Sequence, residues 1–251
     1  MPGDADLAAV GSLLAEPARS RILLALGDGR ALPATVLACE AGIAASTASE
    51  HLSKLVAGNL LATERHGRHR YYRLAGPEVG ELLETVARLA PAAPVRSLRD
   101  DTKAAVLRRA RTCYDHLAGV LGVEILRSLL VRGWLDGHDG TFRPGIDVLS
   151  SRGRDTLYRL TDHGAAELRA LGVDLEVVGR SRRALAHCVD WSEQRHHLSG
   201  ALGAALARRL FELSWLQRAE RGRGVHVTEL GAVGLHETFG LVVPQLGDTW
   251  R

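Results

Sequence analysis

The chain has 251 residues, 46% of them hydrophobic and 24% charged, which excludes a disordered or coiled-coil composition and leaves room for more than one compact core. The formal charge is only +3, so any nucleic-acid surface has to come from local clustering of basic groups. Apolar runs such as Ala90 to Val95 are short, and none approaches the ~20 residues that a membrane span requires.

The segment Met1-Pro2-Gly3-Asp4-Ala5-Asp6 is acidic and leads into no apolar signal core, so the chain reads as soluble and cytoplasmic, with no membrane partner. Cys39, Cys113 and Cys188 cannot all pair within one chain and are widely spaced. A disulfide framework is therefore not expected, and buried or reactive thiols stay open. All basic residues but Lys54 and Lys103 are arginine, a skew that reads as genomic base composition and carries no functional weight.

Leu7, Val10, Leu13 and Leu14 predict a short amphipathic helix over Asp6 to Ala15. Pro17 opens a second helix through Ile22, Leu23 and Leu26, which ends at Gly27-Asp28-Gly29. A third runs from about Pro33 to Ala41 and stops at Gly42; a fourth covers about Ala45 to Ala57, with Gly58-Asn59 as terminator. Leu60 to Arg65 and His69 to Leu74 read as two strands hinged at Gly67, one of Tyr71 and Tyr72 facing the core and the other partly exposed. Pro77 opens a fifth helix to about Ala90, and Pro91-Ala92-Ala93-Pro94 reads as a linker. Helices followed by a basic hairpin are the pattern of a winged helix.

Beyond the linker, blocks recur in order. Cys113-Tyr114-Asp115 matches Cys188-Val189-Asp190, and His116-Leu117-Ala118-Gly119-Val120-Leu121-Gly122 matches His197-Leu198-Ser199-Gly200-Ala201-Leu202-Gly203. Trp134-Leu135 matches Trp215-Leu216, and Tyr158 to Gly164 matches Val225 to Gly231. Each unit reads as a Cys-x-Asp segment, a helix ending in Trp-Leu, a variable loop, a short strand and a closing helix. The expected fold class is mainly α with small β-hairpins: an N-terminal winged helix-turn-helix domain over 1–92 for DNA binding and dimerisation, then two degenerate winged-helix-like repeats over 93–173 and 174–251 that form one effector-sensing domain.

Within the first domain, Ala41-Gly42-Ile43-Ala44 makes a tight turn before a helix on which Ala48, Leu52 and Leu55 share a core face. Ser46, Thr47, Ser49, Glu50, His51 and Lys54 are left as candidate DNA contacts, the small hydroxyls allowing close approach to phosphates or base edges. Arg65, Arg68, His69 and Arg70 are the candidates on the hairpin, where guanidinium groups suit phosphate contact or minor-groove insertion. Leu14-Ala15-Glu16-Pro17-Ala18-Arg19-Ser20-Arg21-Ile22-Leu23, the turn, the Ser46 to Leu55 helix and the Arg65 to Leu74 wing together resemble the ArsR/SmtB family of bacterial repressors. The resemblance covers about residues 4–90. It implies a homodimer with the first and fifth helices at the interface, and two recognition helices on an imperfect palindromic operator in double-stranded DNA. Ala44 and Ala45 stand where longer polar residues are common in that family, and Glu50 where a basic residue is frequent. Arg111 to Gly119 and Cys188 to Glu193 extend the likeness to a group of longer ArsR-like regulators over nearly the whole chain, without an effector that can be carried over.

The family's thiolate positions on the third helix correspond to Pro33 and Thr35, which cannot bind metal, and Glu78 to Ala90 contains no His, Cys or Asp. Cys39 reads as a small core residue. The remaining effector-site candidates are Cys113, Tyr114, Asp115, His116, His187, Cys188, Asp190, Trp191 and His197. The favoured reading of them is structural: buried cysteines, Asp115 and Asp190 tying down arginines such as Arg111 and Arg183, and His116 and His197 capping helices. A small-molecule pocket between the repeats, with Trp191 as its best lining residue, is the second reading. A metal or haem site in which two Cys and two His converge is the third. No cofactor or metal is assigned, and the effector is an unknown small molecule. Trp134 and Trp215 read as core. The chain has no Gly-x-Ser-x-Gly elbow, phosphate-binding Gly-x-x-x-x-Gly-Lys loop or His-Glu-x-x-His helix, so it is not expected to be an enzyme. The function expected is that of a sequence-specific DNA-binding regulator, a homodimeric ligand-responsive repressor. The alternative is a metal-, haem- or thiol-redox-responsive regulator that uses the C-terminal Cys and His.

Overall fold

The computed structural model describes residues 4–66, 69–91, 98–143, 157–181, 183–220 and 222–243. Two compact units divide the chain, Met1–Leu83 with Glu220–Arg223, and Glu84–Ala219 with Gly224–Arg251. Among the described residues no helix is long and apolar enough to cross a membrane.

The first unit opens with α1 (Leu7–Ala15), capped by the Asp6 carboxylate accepting from the Ala9 amide, and α2 (Pro17–Ala25), where Glu16 accepts from Arg19 and Pro17 takes the first turn. Leu32–Pro33 forms a two-residue strand, β1, ahead of α3 (Ala34–Ala41), which ends at Gly42 in the left-handed region, φ 68°. The chain then enters α4 (Ala45–Ala57), the span that its apolar spacing predicts. β2 (Leu61–His66) and β3 (His69–Leu74) pair antiparallel, and β1 adds to the far side of β3 with Leu32 opposite Tyr72. Ile22, Leu23, Leu26, Leu37, Leu52, Leu55 and Leu74 are fully buried and form the core of this unit. Tyr72 is buried and Tyr71 half-buried, as strand alternation predicts. Gly67 and Ala92 to Pro94, the expected hinge and most of the expected linker, lie outside the described residues.

α5 (Pro77–Leu89) follows the wing, and α6 (Leu98–Arg109) is a helix that the sequence reading missed. From there the same succession of elements occurs twice. β4 (Arg111–Cys113) and β5 (His116–Ala118) form a hairpin before α7 (Gly119–Val131), then β6 (Leu135–Gly137) pairs with β7 (Tyr158–Leu160) ahead of α8 (Asp162–Ala170). After the short α9 (Leu175–Gly179), β8 (Ala186–Val189) and β9 (His196–Ser199) precede α10 (Gly200–Glu212), β10 (Leu216–Arg218), β11 (Val225–Val227) and α11 (Glu229–Phe239). The Cys-x-Asp segments are thus hairpin strands and turns. The long helices stop at Val131 and Glu212, before the tryptophans. One apolar cluster that includes Leu121, Ile125, Leu129, Leu202, Leu206 and Leu210 unites these elements.

The closing helices are anchored alike. Thr161 accepts from the Gly164 amide at 2.9 Å and donates to the Gly133 carbonyl at 2.7 Å; Thr228 accepts from Gly231 at 2.9 Å and donates to Ser214 at 2.8 Å. Gly164 and Gly231 lie so close to the carbonyls of Trp134 and Trp215 that a Cβ would collide with backbone. Gly231→Ala is therefore expected to cost about 1–3 kcal/mol in denaturant unfolding, whereas Gly179→Ala, surrounded by open space, costs nothing. Equal midpoints for the two variants would contradict this packing.

Candidate nucleic-acid interface and a buried Cys and His cluster

α4 separates its faces cleanly. Ala48, Leu52 and Leu55 are buried, while Ser46, Thr47, Ser49, Glu50 and Lys54 are exposed. The Ser49 hydroxyl donates to the Ala45 carbonyl at 3.0 Å, and Lys54 reaches Glu50 at 2.6 Å along the helix. The hydrogen bond from Lys54, reinforced by its charge, holds the Glu50 carboxyl below its usual range. Solvent screens an exposed pair of this kind and leaves it weak, so Lys54 is easily diverted to a phosphate. His51 departs from the row: it is half-buried, with Nε2 3.6 Å from the Glu16 carboxylate that caps α2.

On the wing, Arg65 and Arg70 are exposed and lie directly opposite each other across the β2–β3 ladder. Like charges in that register destabilise a hairpin unless an anion lies between or above them. Arg73, nearer the base, is bound to Glu64. Arg68 and the His69 side chain lie outside the described residues.

The second unit holds a cluster of a different kind. Cys113 pairs across the first hairpin with His116, and Cys188 pairs across the β8–β9 hairpin with His197. All four side chains are buried, and one ligand atom from each lies within 4.8 Å of the others. The imidazoles lie 5.2 Å apart between ring centroids. Asp115 Oδ1 stands 3.0 Å from His116 Nδ1, and Asp190 Oδ2 stands 3.6 Å from His197 Nδ1. His116 Nε2 and His197 Nε2 are sealed from water without a hydrogen-bond partner of good geometry. Interaction with Cys113 draws the Cys188 thiol well below its usual value; burial opposes that shift, and His116 and His197 assist it. Burial alone would push His116 down, but Asp115 and Cys188 outweigh it and raise this histidine to about 9.

Asp190 connects this cluster to its surroundings. Its carboxylate accepts from Arg111 at 2.9 Å, from the Gly119 amide at 2.6 Å and from the Ser192 amide and hydroxyl at 2.9 and 2.8 Å. Burial works against ionisation, yet Arg111 and these other donors hold the carboxyl well below its usual range. Arg111 is itself fully buried, 3.5 Å from Glu84 on α5 and 4.7 Å from the Trp191 ring.

Several expectations change here. Asp190 does bind Arg111, but Asp115 is exposed and meets His116 rather than an arginine. His116 and His197 are strand residues and cap no helix, because the hairpin register turns them toward the thiols. Trp191 stacks on Arg111. Cys39 is exposed, since α3 turns Leu37, Ala38 and Ala41 inward and leaves residue 39 on the opposite side. Trp134 is core, as expected, and Trp215 is half-buried. Tyr114 is half-buried in the first hairpin turn with φ 58°. His187 lies outside the four-ligand set, stacked on His196 at 4.3 Å. His196 also meets His138 at 5.0 Å and the Tyr158 hydroxyl at 2.7 Å. His138, Tyr158 and Glu84 were not singled out from sequence, and no local spacing signals them.

A family profile described as a helix-turn-helix domain matches residues 14–64. The chain is 41% identical over 239 residues to the uncharacterized HTH-type transcriptional regulator YdfF of Bacillus subtilis, across 95% of this chain and 99% of that one. It is 39% identical over 87 residues to the HTH-type transcriptional regulator CmtR of Mycobacterium tuberculosis, across 33% of this chain and 73% of that one. Among solved structures, the homodimeric winged helix-turn-helix DNA-binding domain of Mb0332 from Mycobacterium bovis is 33% identical, covering 36% of this chain and 89% of that one with a TM-score of 0.31. With an exposed hydroxyl-bearing helix beside a basic wing, and 41% identity to one such regulator over nearly the whole length of both chains, the chain belongs to the helix-turn-helix transcriptional regulators.

Proposed function

We propose that the chain is a cytoplasmic, homodimeric, ligand-responsive repressor that reads an imperfect palindrome in double-stranded DNA, and that it is not an enzyme. The observation that carries the DNA-reading surface is the division of α4: Ala48, Leu52 and Leu55 hold it to the core while Ser46, Thr47, Ser49 and Lys54 stay exposed. The N-terminal half of α4 enters the major groove, and Arg65, Arg68 and Arg70 engage phosphates or the adjacent minor groove. His51, held at Glu16, supports the helix position rather than touching bases.

A dimer surface is supported by α1, whose sequence is largely apolar and yet contains no buried residue, and by Val86 and Leu89 exposed on α5. Pairing through those helices would place two recognition helices about one helical turn of DNA apart. We assign DNA binding and dimerisation to residues 1–92, and sensing to two degenerate winged-helix-like copies over 93–173 and 174–251. The matched Thr–Gly–Trp anchors of α8 and α11 support that duplication.

The wing is tested by salt. Arg65→Ala and Arg70→Ala are each expected to weaken binding about equally on all DNA sequences and to reduce the slope of log affinity against log salt by about 1. An unchanged slope in the double variant would remove the wing from the interface.

A further inference from the structure

Four heteroatoms of the kind that bind soft metals converge in the second unit, and packing alone does not account for them. Buried polar atoms without a well-formed hydrogen bond are costly, yet His116 and His197 both bury such an Nε2 beside two thiols. The arrangement is built the same way twice. In each hairpin the first strand supplies a Cys and the second strand supplies the His directly opposite. In the first, Asp115 meets the His116 Nδ1 at 3.0 Å; in the second, Asp190 lies 3.6 Å from the His197 Nδ1, beyond hydrogen-bond range. The carboxylate at the His116 Nδ1 fixes that ring and leaves its Nε2 as the ligand atom, the usual outer-shell arrangement of a metal-bound histidine. The helices also cross over: a Cβ at Gly122 of α7 would lie 3.5 Å from the His197 Cβ, and one at Gly203 of α10 would lie 3.2 Å from the His116 Cβ.

We propose that Cys113, His116, Cys188 and His197 form a four-coordinate site for a thiolate-preferring divalent cation of the zinc class. Two sulfurs and two imidazole nitrogens select such ions over magnesium or calcium. Bond lengths of about 2.3 Å to sulfur and 2.0–2.1 Å to nitrogen give tetrahedral edges of about 3.3–3.8 Å. The widest ligand separation here, at most 4.8 Å, therefore closes by about an ångström of side-chain movement. That spacing encloses one ion and has no room for a haem macrocycle. Four buried protein ligands leave no coordination position for a substrate, which marks the site as sensing or structural rather than catalytic.

The site also identifies the effector chemistry of the proposed repressor, a step that rests on that functional reading. His197 adjoins Asp190, Asp190 binds Arg111, and Arg111 lies 3.5 Å from Glu84 of α5. A cation that fixes His197 thereby biases the buried ion pairs that position α5, a helix proposed for the dimer interface.

Cobalt(II) added to the reduced, chelator-treated full chain tests the site without reference to DNA. The expected result is one ion per chain, with the visible absorption of tetrahedral cobalt and a thiolate charge-transfer band, both abolished when zinc displaces it. Cys188→Ser is expected to weaken binding at least a hundredfold, and Asp115→Asn about tenfold with the charge-transfer band kept; Cys39→Ser changes nothing. Thiol labelling of the wild type avoids dependence on a folded variant: the zinc-loaded chain labels at Cys39 alone, and chelation exposes the other two. An octahedral cobalt spectrum, no binding, or a Cys113–Cys188 disulfide that persists in reductant would overturn the site. Operator affinity with and without zinc tests the regulatory step. A tetrahedral spectrum with unchanged operator affinity would overturn the coupling and support the site, and an intact spectrum with no DNA binding at all would overturn the repressor reading alone.

Discussion

Asp190→Ala is expected to lower the unfolding free energy of the chain by about 3–5 kcal/mol in chemical denaturation. The cause is what the substitution leaves behind. Arg111 is fully buried, and its close carboxylate partner is Asp190; Glu84 is more distant at 3.5 Å. The same carboxylate accepts from the Gly119 amide at the start of α7, from both donors of Ser192 and from the Glu193 amide, so four further hydrogen bonds are lost. Asp190→Asn, which keeps an acceptor oxygen, costs less. The carboxyl is held below its ordinary range, so the unfolded chain takes up its proton first as the solution is acidified. Its stabilisation is complete above about pH 4 and declines as pH falls below that value. A loss under about 1 kcal/mol for Asp190→Ala, or stability independent of pH between about 4 and 2, would show that the buried pair is not the organising contact of this unit.

Ser49→Glu is expected to reduce operator affinity by about a hundredfold, near 3 kcal/mol, with unfolding unchanged within about 0.5 kcal/mol. Ser49 is exposed on α4 and its hydroxyl bonds only within the helix, so the fold has little stake in it. On DNA the position faces phosphates and base edges, where a carboxylate is repelled and cannot be rehydrated. A parallel Ser53→Glu, one turn further from the helix start, should have a smaller effect because the N-terminal end of a recognition helix makes the base contacts. Equal effects at both positions would mean that α4 meets DNA in a different orientation.

The first unit was legible because its signals are local and repeated. Apolar residues at helical spacing, Gly42 and Gly58 as stops, and Pro17 and Pro77 as starts delimit most of its helices. β1 was missed because two residues, one of them proline, show no periodicity and owe their extended form to pairing with Tyr71 and Tyr72. The second unit gave up its matched blocks but not their form. β4, β5, β8 and β9 are only three or four residues long and buried on both faces, so the alternation that marks a strand is absent. The convergence of cysteine and histidine was obscured for a related reason. Cys113 is followed by His116 after two residues, and Cys188 by His197 after a much longer loop. Cross-strand register, not sequence spacing, puts each His opposite its Cys. Register also decides between His196 and His197: strand alternation turns only the second toward the thiols, and sends the first to Tyr158 and His138.

Chemical protection of guanine N7 in operator DNA by the full chain tests most directly whether α4 occupies the major groove. Two protected patches separated by about one helical turn are expected, present with the wild type and lost with Ser49→Glu at the same protein concentration. Binding that leaves every N7 reactive, or protection that Ser49→Glu leaves intact, would contradict that placement.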